Sequence, residues 1–259
     1  MPMSSTRDAD MPGAGPGTSA AGTGTATPGT PTPGAGAFGG QITRDSLSQQ
    51  AYVAIRRSLM RSRLRPGQKL IVRQVADELG ISVTPVRESL LRLVSEHALD
   101  MDDRGTVIVP ELSLARCIEI RDLRMLVEGE GAARAAARVA DADVDLLQRI
   151  HDRYMAIESE QEYEAALVEN ENFHFTLCRL ADSPVLFGIV ENLWIQFGPL
   201  LSYLYDGDRR PFHGRTHGHL LVIDALRRRD PDAARQAIAQ DILIGGQVVV
   251  EKLSARDRA

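Results

Sequence analysis

The chain has 259 residues, 43% of them hydrophobic and 25% charged, and a formal net charge of -5. That balance fits a globular protein with room for two modest cores, and the two cysteines, Cys117 and Cys178, stand too far apart and too alone for a disulfide framework or a zinc ribbon. No apolar run is expected to reach the ~18–20 residues that span a bilayer, and the opening MPMSSTRDAD has no basic stretch followed by an apolar one, so a cytoplasmic protein without a membrane partner or a secretory signal is expected.

Residues 1–40 are mainly Gly, Pro, Thr and Ala. They cannot bury enough apolar surface to offset chain entropy, and a disordered tail is expected there. From 41 to 110 the chain holds 11 Lys+Arg against 8 Asp+Glu, whereas 111–259 holds 18 against 25. A mildly basic module thus precedes an acidic one, as suits a part facing nucleic acid and a part kept off the phosphates.

Within the basic module, Leu47, Ala51, Ala54, Ile55 and Leu59 fall at helical spacing over Ser46–Arg63. Arg65-Pro66-Gly67 breaks that helix. A short helix follows over Val72–Leu79, stopped by Gly80. Ser82 or Thr84 can cap the next helix, with Pro85 in its first turn, and Val86, Leu90, Leu91 and Val94 continue it. Leu99–Asp102 and Thr106–Val109 read as strands around a turn at Asp103-Arg104-Gly105. Helix, short helix, tight turn, helix and small hairpin is the order of a winged helix-turn-helix. After Leu112 the pattern is helical, with helices expected near 112–139, 142–157, 160–181, 184–205, 212–229 and 231–254, and breaks at Asp141, Ser183-Pro184, Gly207 to Pro211 and Asp230-Pro231. The fold class is therefore mainly α: a winged helix-turn-helix over 41–110 and an all-helical bundle over 111–259.

The run PGQKLIVRQVADELGISVTPVRESLLRLVSEHAL resembles the GntR family of regulators, in its FadR-like branch. By that resemblance Arg73, Thr84 and Arg87 match positions that contact DNA, and Gly105 matches the tip of the wing, with Arg104 beside it. The physics stands alongside. The first turn of a recognition helix reaches base edges in the major groove; here it offers Ser82, Val83, Thr84, Pro85 and Arg87. Arginine can bridge the two acceptors of a guanine, while Val83, where many relatives carry a base-reading arginine, can make only apolar contact. Arg92 reads as an ordinary solvated helix arginine.

The helical half resembles the FCD-type ligand-binding domain that follows this winged helix in such regulators. The resemblance rests on Arg124-x-x-x-Glu128, Ala132-Ala133, Ala135-Ala136, Asn170-x-x-Phe173-His174, His219 before Ala225-Leu226, and Asp230 to Arg235. Many such domains hold a divalent metal with one carboxylate and three histidines. The matching positions here are Asn170, His174, His219 and Asp241. Asn170 and His174 lie four apart on one helix face, and two imidazoles with one carboxylate suit Zn, Ni or Mn with open positions. A buried polar network without metal remains the alternative. The effector implied is a small organic acid, held by Arg124, Asn170, His174 and His219. Arg124 has the planar donor fork for a carboxylate, or it pairs with Glu128 one helical turn away. His213 and His217 are expected at the surface, and Leu193–Phe197 in the core or a dimer interface.

The partners implied are double-stranded operator DNA, the effector and a second copy of the chain. The expected function is a DNA-binding transcriptional regulator, in the sense of a repressor, and not an enzyme. A metal-dependent hydrolase fused to a winged helix, and a DNA-binding protein without an effector response, are the rival readings.

Overall fold

The computed structural model describes residues 47–205 and 216–258. The expected tail over 1–40, the chain break at 207–211 and His213 lie outside the described residues.

Apolar side chains at three- and four-residue spacing wind Leu47–Met60 into α1, which buries Ala51, Tyr52, Ile55, Leu59 and Met60. Its end is a left-handed residue, Ser62 at φ 59, with Arg63 N–H bonded back to the Ser58 carbonyl at 3.0 Å. That is the geometry that satisfies the last carbonyls of a helix. A strand β1 (Lys69–Leu70) leads into α2 (Val72–Leu79). Gly80 closes α2 at φ 67, a conformation that costs a glycine little. Ser82 is the N-cap residue of α3 (Val83–Ser95), though its side chain makes no capping bond. Strands β2 (Asp100–Met101) and β3 (Val107–Ile108) form the hairpin. β1 was not expected: it is two residues long, and it pairs antiparallel with β3 to give the order β1-β3-β2. The wing therefore rests on a three-stranded sheet rather than a free hairpin.

The helical half follows as α4 (Leu114–Ala136), α5 (Asp141–Ser159), α6 (Tyr163–Leu180), α7 (Pro184–Phe197), α8 (Gly218–Arg227) and α9 (Pro231–Arg256). Caps fix several boundaries. The Ser113 side chain accepts from Arg116 N–H, Asp143 accepts from Ala140 N–H, and Asp230 accepts from Ala233 N–H ahead of Pro231.

The single helix expected over 184–205 is divided. α7 ends at Phe197 and a 3-10 segment runs Gly198–Tyr205, because Pro199 cannot donate the next α-helical bond. At the junction, a side chain on Gly198 would lie 2.7 Å from Met60 Cα, so only glycine lets the end of α1 seat there. Pro184–Tyr205 also corrects the hydropathy reading: it is long and apolar enough, by length and composition, to cross a bilayer. Its apolarity serves the interior instead. Trp194 and Phe197 are among the largest fully buried side chains, and a helix buried on most faces is apolar on most faces.

Two apolar clusters hold the described residues together. The first is continuous from Tyr52, Leu59, Leu90 and Leu99 through Ile120 and Trp194 to Leu253, so it joins the N-terminal elements to α4, α7 and α9. Across the same junction Arg61 pairs with Glu171 at 2.6 Å. The second cluster, with Val144, Leu147, Phe173, Leu177, Val222 and Ile238, lies between α4, α5, α6, α8 and α9. The polar site sits between these clusters.

Candidate functional site

The helix-turn-helix exposes most of the residues expected to face DNA. Arg73 on α2, and Ser82, Val83, Thr84 and Arg87 at the start of α3, are exposed. So are Arg104 and Gly105 at the hairpin tip, where Gly105 takes φ 77. The tip is set by Asp102, whose carboxylate accepts from Arg104 N–H at 3.0 Å and from Thr106 N–H at 2.8 Å. Those backbone donors, Thr106 first, hold its carboxyl below the usual range. Pro85 is the correction: it is buried with Val86, Ser89 and Leu90, because the helical period turns these positions to the core. Its carbonyl accepts from the Ser89 hydroxyl at 2.8 Å. Arg92 lies over the Tyr52 ring at 3.7 Å and bonds Glu96 and Gln49, which accounts for its charge within the fold.

The second site is buried in the bundle. α6 carries His174 and α9 carries Asp241, and His174 Nε2 lies 3.2 Å from Asp241 Oδ2. The other ring nitrogen, Nδ1, lies 2.7 Å from Glu128 Oε2 on α4. Glu128 is a hub: its Oε1 also accepts from Arg124 Nε at 2.7 Å and from Trp194 Nε1 at 3.0 Å. Burial alone would raise this carboxyl; the charges of Arg124 and His174 outweigh it and hold it at about 2. Burial pulls His174 down, and the Glu128 charge and the Asp241 bond overcome it, so the ring is held above the usual imidazole value. The Arg124 guanidinium also lies 4.2 Å above the Trp194 ring.

α8 delivers His219 to the same centre. Its ring stacks on Phe173 at 3.7 Å and is fully buried. Among the described residues neither ring nitrogen has a hydrogen-bond partner, nor does Asp241 Oδ1 or His151 Nδ1. Burial, then His217 and His174, push His219 well below the ordinary imidazole range, and burial takes His217 down to about 4. Neutral imidazoles are the form that binds metal. One ligand atom each from His174, His219 and Asp241 lies within 4.8 Å of the others, and the same holds for His151, His217 and His219. Gly218 is required beside them, since a Cβ there would overlap the Asp241 side chain.

Buried polar atoms without partners are costly, by about 1–3 kcal/mol each. A cation among them would satisfy several at once. A ligand histidine whose far nitrogen is held by a carboxylate is also the arrangement expected around a metal, and His174 with Glu128 has it. The donor set fits a divalent metal. The adjoining cavity, walled by Arg124, Asn170, His174 and Asp241, is only about 40 Å³.

Residues 47–109 match bacterial regulatory proteins of the gntR family, and residues 119–243 match the FCD domain. The HTH-type transcriptional regulator McbR of Escherichia coli (strain K12) is 30% identical over 203 residues, covering 78% of this chain and 91% of McbR. The chain belongs to the GntR family. It is a transcriptional regulator with a GntR helix-turn-helix and an FCD domain. Another relative, the HTH-type transcriptional repressor RspR of the same bacterium, is 26% identical over 197 residues, 76% of this chain and 86% of RspR. The solved structure of E. coli McbR/YncC has a TM-score of 0.75 at 29% identity, covering 81% of this chain and 99% of that one. A GntR regulator from Rhodococcus sp. RHA1, at 21% identity, shares the fold with a TM-score of 0.64 over 79% of this chain and 98% of its own.

For this GntR protein, the predicted set Asn170, His174, His219 and Asp241 converges on one centre: three supply the clustered ligand atoms, and Asn170 lines the cavity beside them. Two residues were missed. His217 is buried rather than at the surface, because it is the N-cap of α8 and accepts from His219 N–H. His151 went unnoticed, yet it continues the buried stripe Val144, Leu147, Ile150 and Tyr154 of α5. A histidine on an apolar helical stripe was the signal that could have found it. Arg124 makes the Glu128 pair, and it also borders the cavity.

Proposed function

We propose that this regulator binds operator DNA as a homodimer and loosens that binding when its helical half takes a small organic acid beside a divalent metal. Residues 41–110 form the reading domain and 111–259 the sensing domain, with 1–40 as a tail, all within the cytoplasm. Ser82, Val83, Thr84 and Arg87 address base edges; Arg73, Arg104 and Gly105 address the backbone and minor groove. Supporting this, the guanidinium groups of Arg73, Arg87 and Arg104 are exposed and none has an ion pair within the described residues. Unspent surface cations are what phosphate contact requires. Repression is carried over from RspR, whose name states that role.

The observation that carries the sensing half is His219: a fully buried ring, both nitrogens without a hydrogen-bond partner among the described residues, beside three more histidines and a carboxylate. His174, His219 and Asp241 would hold Zn, Ni or Mn, with His151 and His217 as the other histidines within reach. The metal would supply open positions for a carboxylate oxygen. Arg124 would orient that carboxylate, Glu128 fixes the face that His174 presents, and the bundle excludes water. At about 40 Å³ the cavity is small beside ordinary small-molecule sites, so a wall would shift to admit the acid. That shift is how binding would reach the DNA domain.

Pairing of two copies is supported by apolar residues that gain nothing from exposure. Val185 is 78% exposed and Leu126 70%, with Leu123 and Ile189 also exposed. α4 and α7 run antiparallel, with Arg134 near Ser183 at one end and Arg116 near Gln196 at the other, which puts these residues along one pair of helices. Such a patch marks an interface.

The test is selection of random duplexes by the purified full chain at fixed salt, then affinity for the selected duplex with zinc and with chelator. Recovery of a palindrome, with zinc content by mass spectrometry that falls in His219→Ala, supports the proposal. A palindrome bound by a protein that never retains metal would end the metal reading and leave the operator reading standing.

A further inference from the structure

A second, roomier cavity adjoins the one beside the histidine cluster and shares Leu167 and Tyr205 with it. It has a volume of about 290 Å³, near the lower end of small-molecule sites. It is lined by Ser62, Arg63 and Arg65 of the turn after α1, by Tyr163 of α6, and by Tyr203 and Tyr205 of the 3-10 segment. It therefore touches both the reading half and the sensing half.

Its chemistry is specific. The side chains of Arg63 and Arg65 are exposed, and neither has a carboxylate partner within the described residues; Glu164 is the one acid in the lining. Two guanidinium groups on one turn can fork a carboxylate. The lining offers rings: Tyr163 and Tyr205 stack at 4.4 Å and 7°, and Tyr203 lines the same cavity. A planar ring can extend such a stack. The turn is also held in place. Ser62 is buried, sits in the left-handed region and donates its hydroxyl to the Pro199 carbonyl at 3.3 Å, so the arginines spring from a fixed point.

We propose that this cleft is a second ligand site, which takes a small aromatic carboxylate between Arg63, Arg65 and the tyrosine rings. It is separate from the metal reading and does not rest on it. The two sites nevertheless share a wall. Tyr205 Oη lies 3.0 Å from Tyr154 Oη, and the Tyr154 ring is 5.0 Å from His217 and 5.6 Å from His219. A ligand that orders Tyr205 would thus be felt at the histidine cluster.

The experiment is calorimetric titration of the full chain with sodium benzoate in excess chelator, so that no metal can bind the carboxylate. Benzamide tests the charge and acetate tests the ring. Benzoate binding, weakened at least about tenfold by Arg63→Gln with Arg65→Gln and by Tyr203→Leu, is the expected result, with benzamide and acetate both much weaker. The arginine pair is exposed, so its variant keeps the fold, and an unchanged melting curve verifies that. No benzoate binding to the wild-type chain, equal affinity in the arginine variant, or equal affinity for benzamide or acetate would each overturn the proposal.

Discussion

The two polar regions of this molecule treat charge in opposite ways. On the helix-turn-helix surface Arg73, Arg87 and Arg104 are exposed and have no ion-pair partner among the described residues, where an unpaired cation costs little and stays available to a polyanion. In the bundle, Arg124, Glu128, His174 and Asp241 are buried, where an unpaired charge is costly. They are accordingly chained together: guanidinium to carboxylate to imidazole to carboxylate. The chain closes electrically at Asp241 and leaves His219 beside it unsatisfied. A surface site can wait for its ligand at no expense to folding; an interior site carries the cost of waiting in its own stability.

The largest test of that contrast is Glu128→Gln. Removing the hub charge leaves Arg124 buried without its counter-charge and His174 with Asp241 alone, and the unfolding free energy should fall by about 3–5 kcal/mol, read from the urea midpoint. An unchanged midpoint would mean that water, not Glu128, carries these cations. Next is metal. Zinc at ~100 times its dissociation constant should add about 2.7 kcal/mol, seen as a rise in melting temperature that chelator reverses. His219→Leu should abolish that rise while leaving the metal-free protein no less stable, since the orphaned nitrogens go with the ring. On the surface the effects move from stability to binding. Arg87→Ala should cost about 1–3 kcal/mol of specific duplex affinity with no shift in the unfolding midpoint. The smallest effect is at Arg92, the arginine already engaged within the fold. Arg92→Ala should lower stability by about 0.5–1 kcal/mol and leave duplex affinity alone; a loss of affinity there would erase the distinction between spent and unspent arginines.

Much of the fold was legible because local chemistry agrees with it. Gly80, Asp230-Pro231 and Ser183-Pro184 sit at helix ends for reasons of backbone freedom and capping that a sequence displays. The misses have other causes. β1 is two residues held by β3 some forty positions later, a pairing with no local period. The end of α7 was visible in Pro199, but the apolar run beyond it overrode the signal. Pro85 was assigned to the DNA face by proximity to the motif, whereas the helical period sends it inward. In the site, Asn170, His174, His219 and Asp241 follow family spacing, and that spacing carried them. His151 and His217 follow none: His151 meets His219 because α5 packs against α8, and His217 meets it as the N-cap residue two positions ahead. Glu128 was seen as a neighbour of Arg124, since its contact with His174 spans 46 positions.

The seat of α1 on Gly198, with the apolar cluster running uninterrupted from Tyr52 to Leu253, bears on how the molecule comes apart. With one apolar cluster shared by reader and sensor, the amides of α1 and α7 should open in the same rare event, and their exchange with deuterium should be protected to similar depth. Calorimetry should return one endotherm whose van't Hoff and calorimetric enthalpies agree. A fragment cut after Pro110 would uncover the end of α1, at Leu59 and Met60, that now meets Gly198. The reader in this protein is thus no detachable cartridge, and grafting it onto another sensor would require rebuilding the surface that Leu59 and Met60 now share with Gly198.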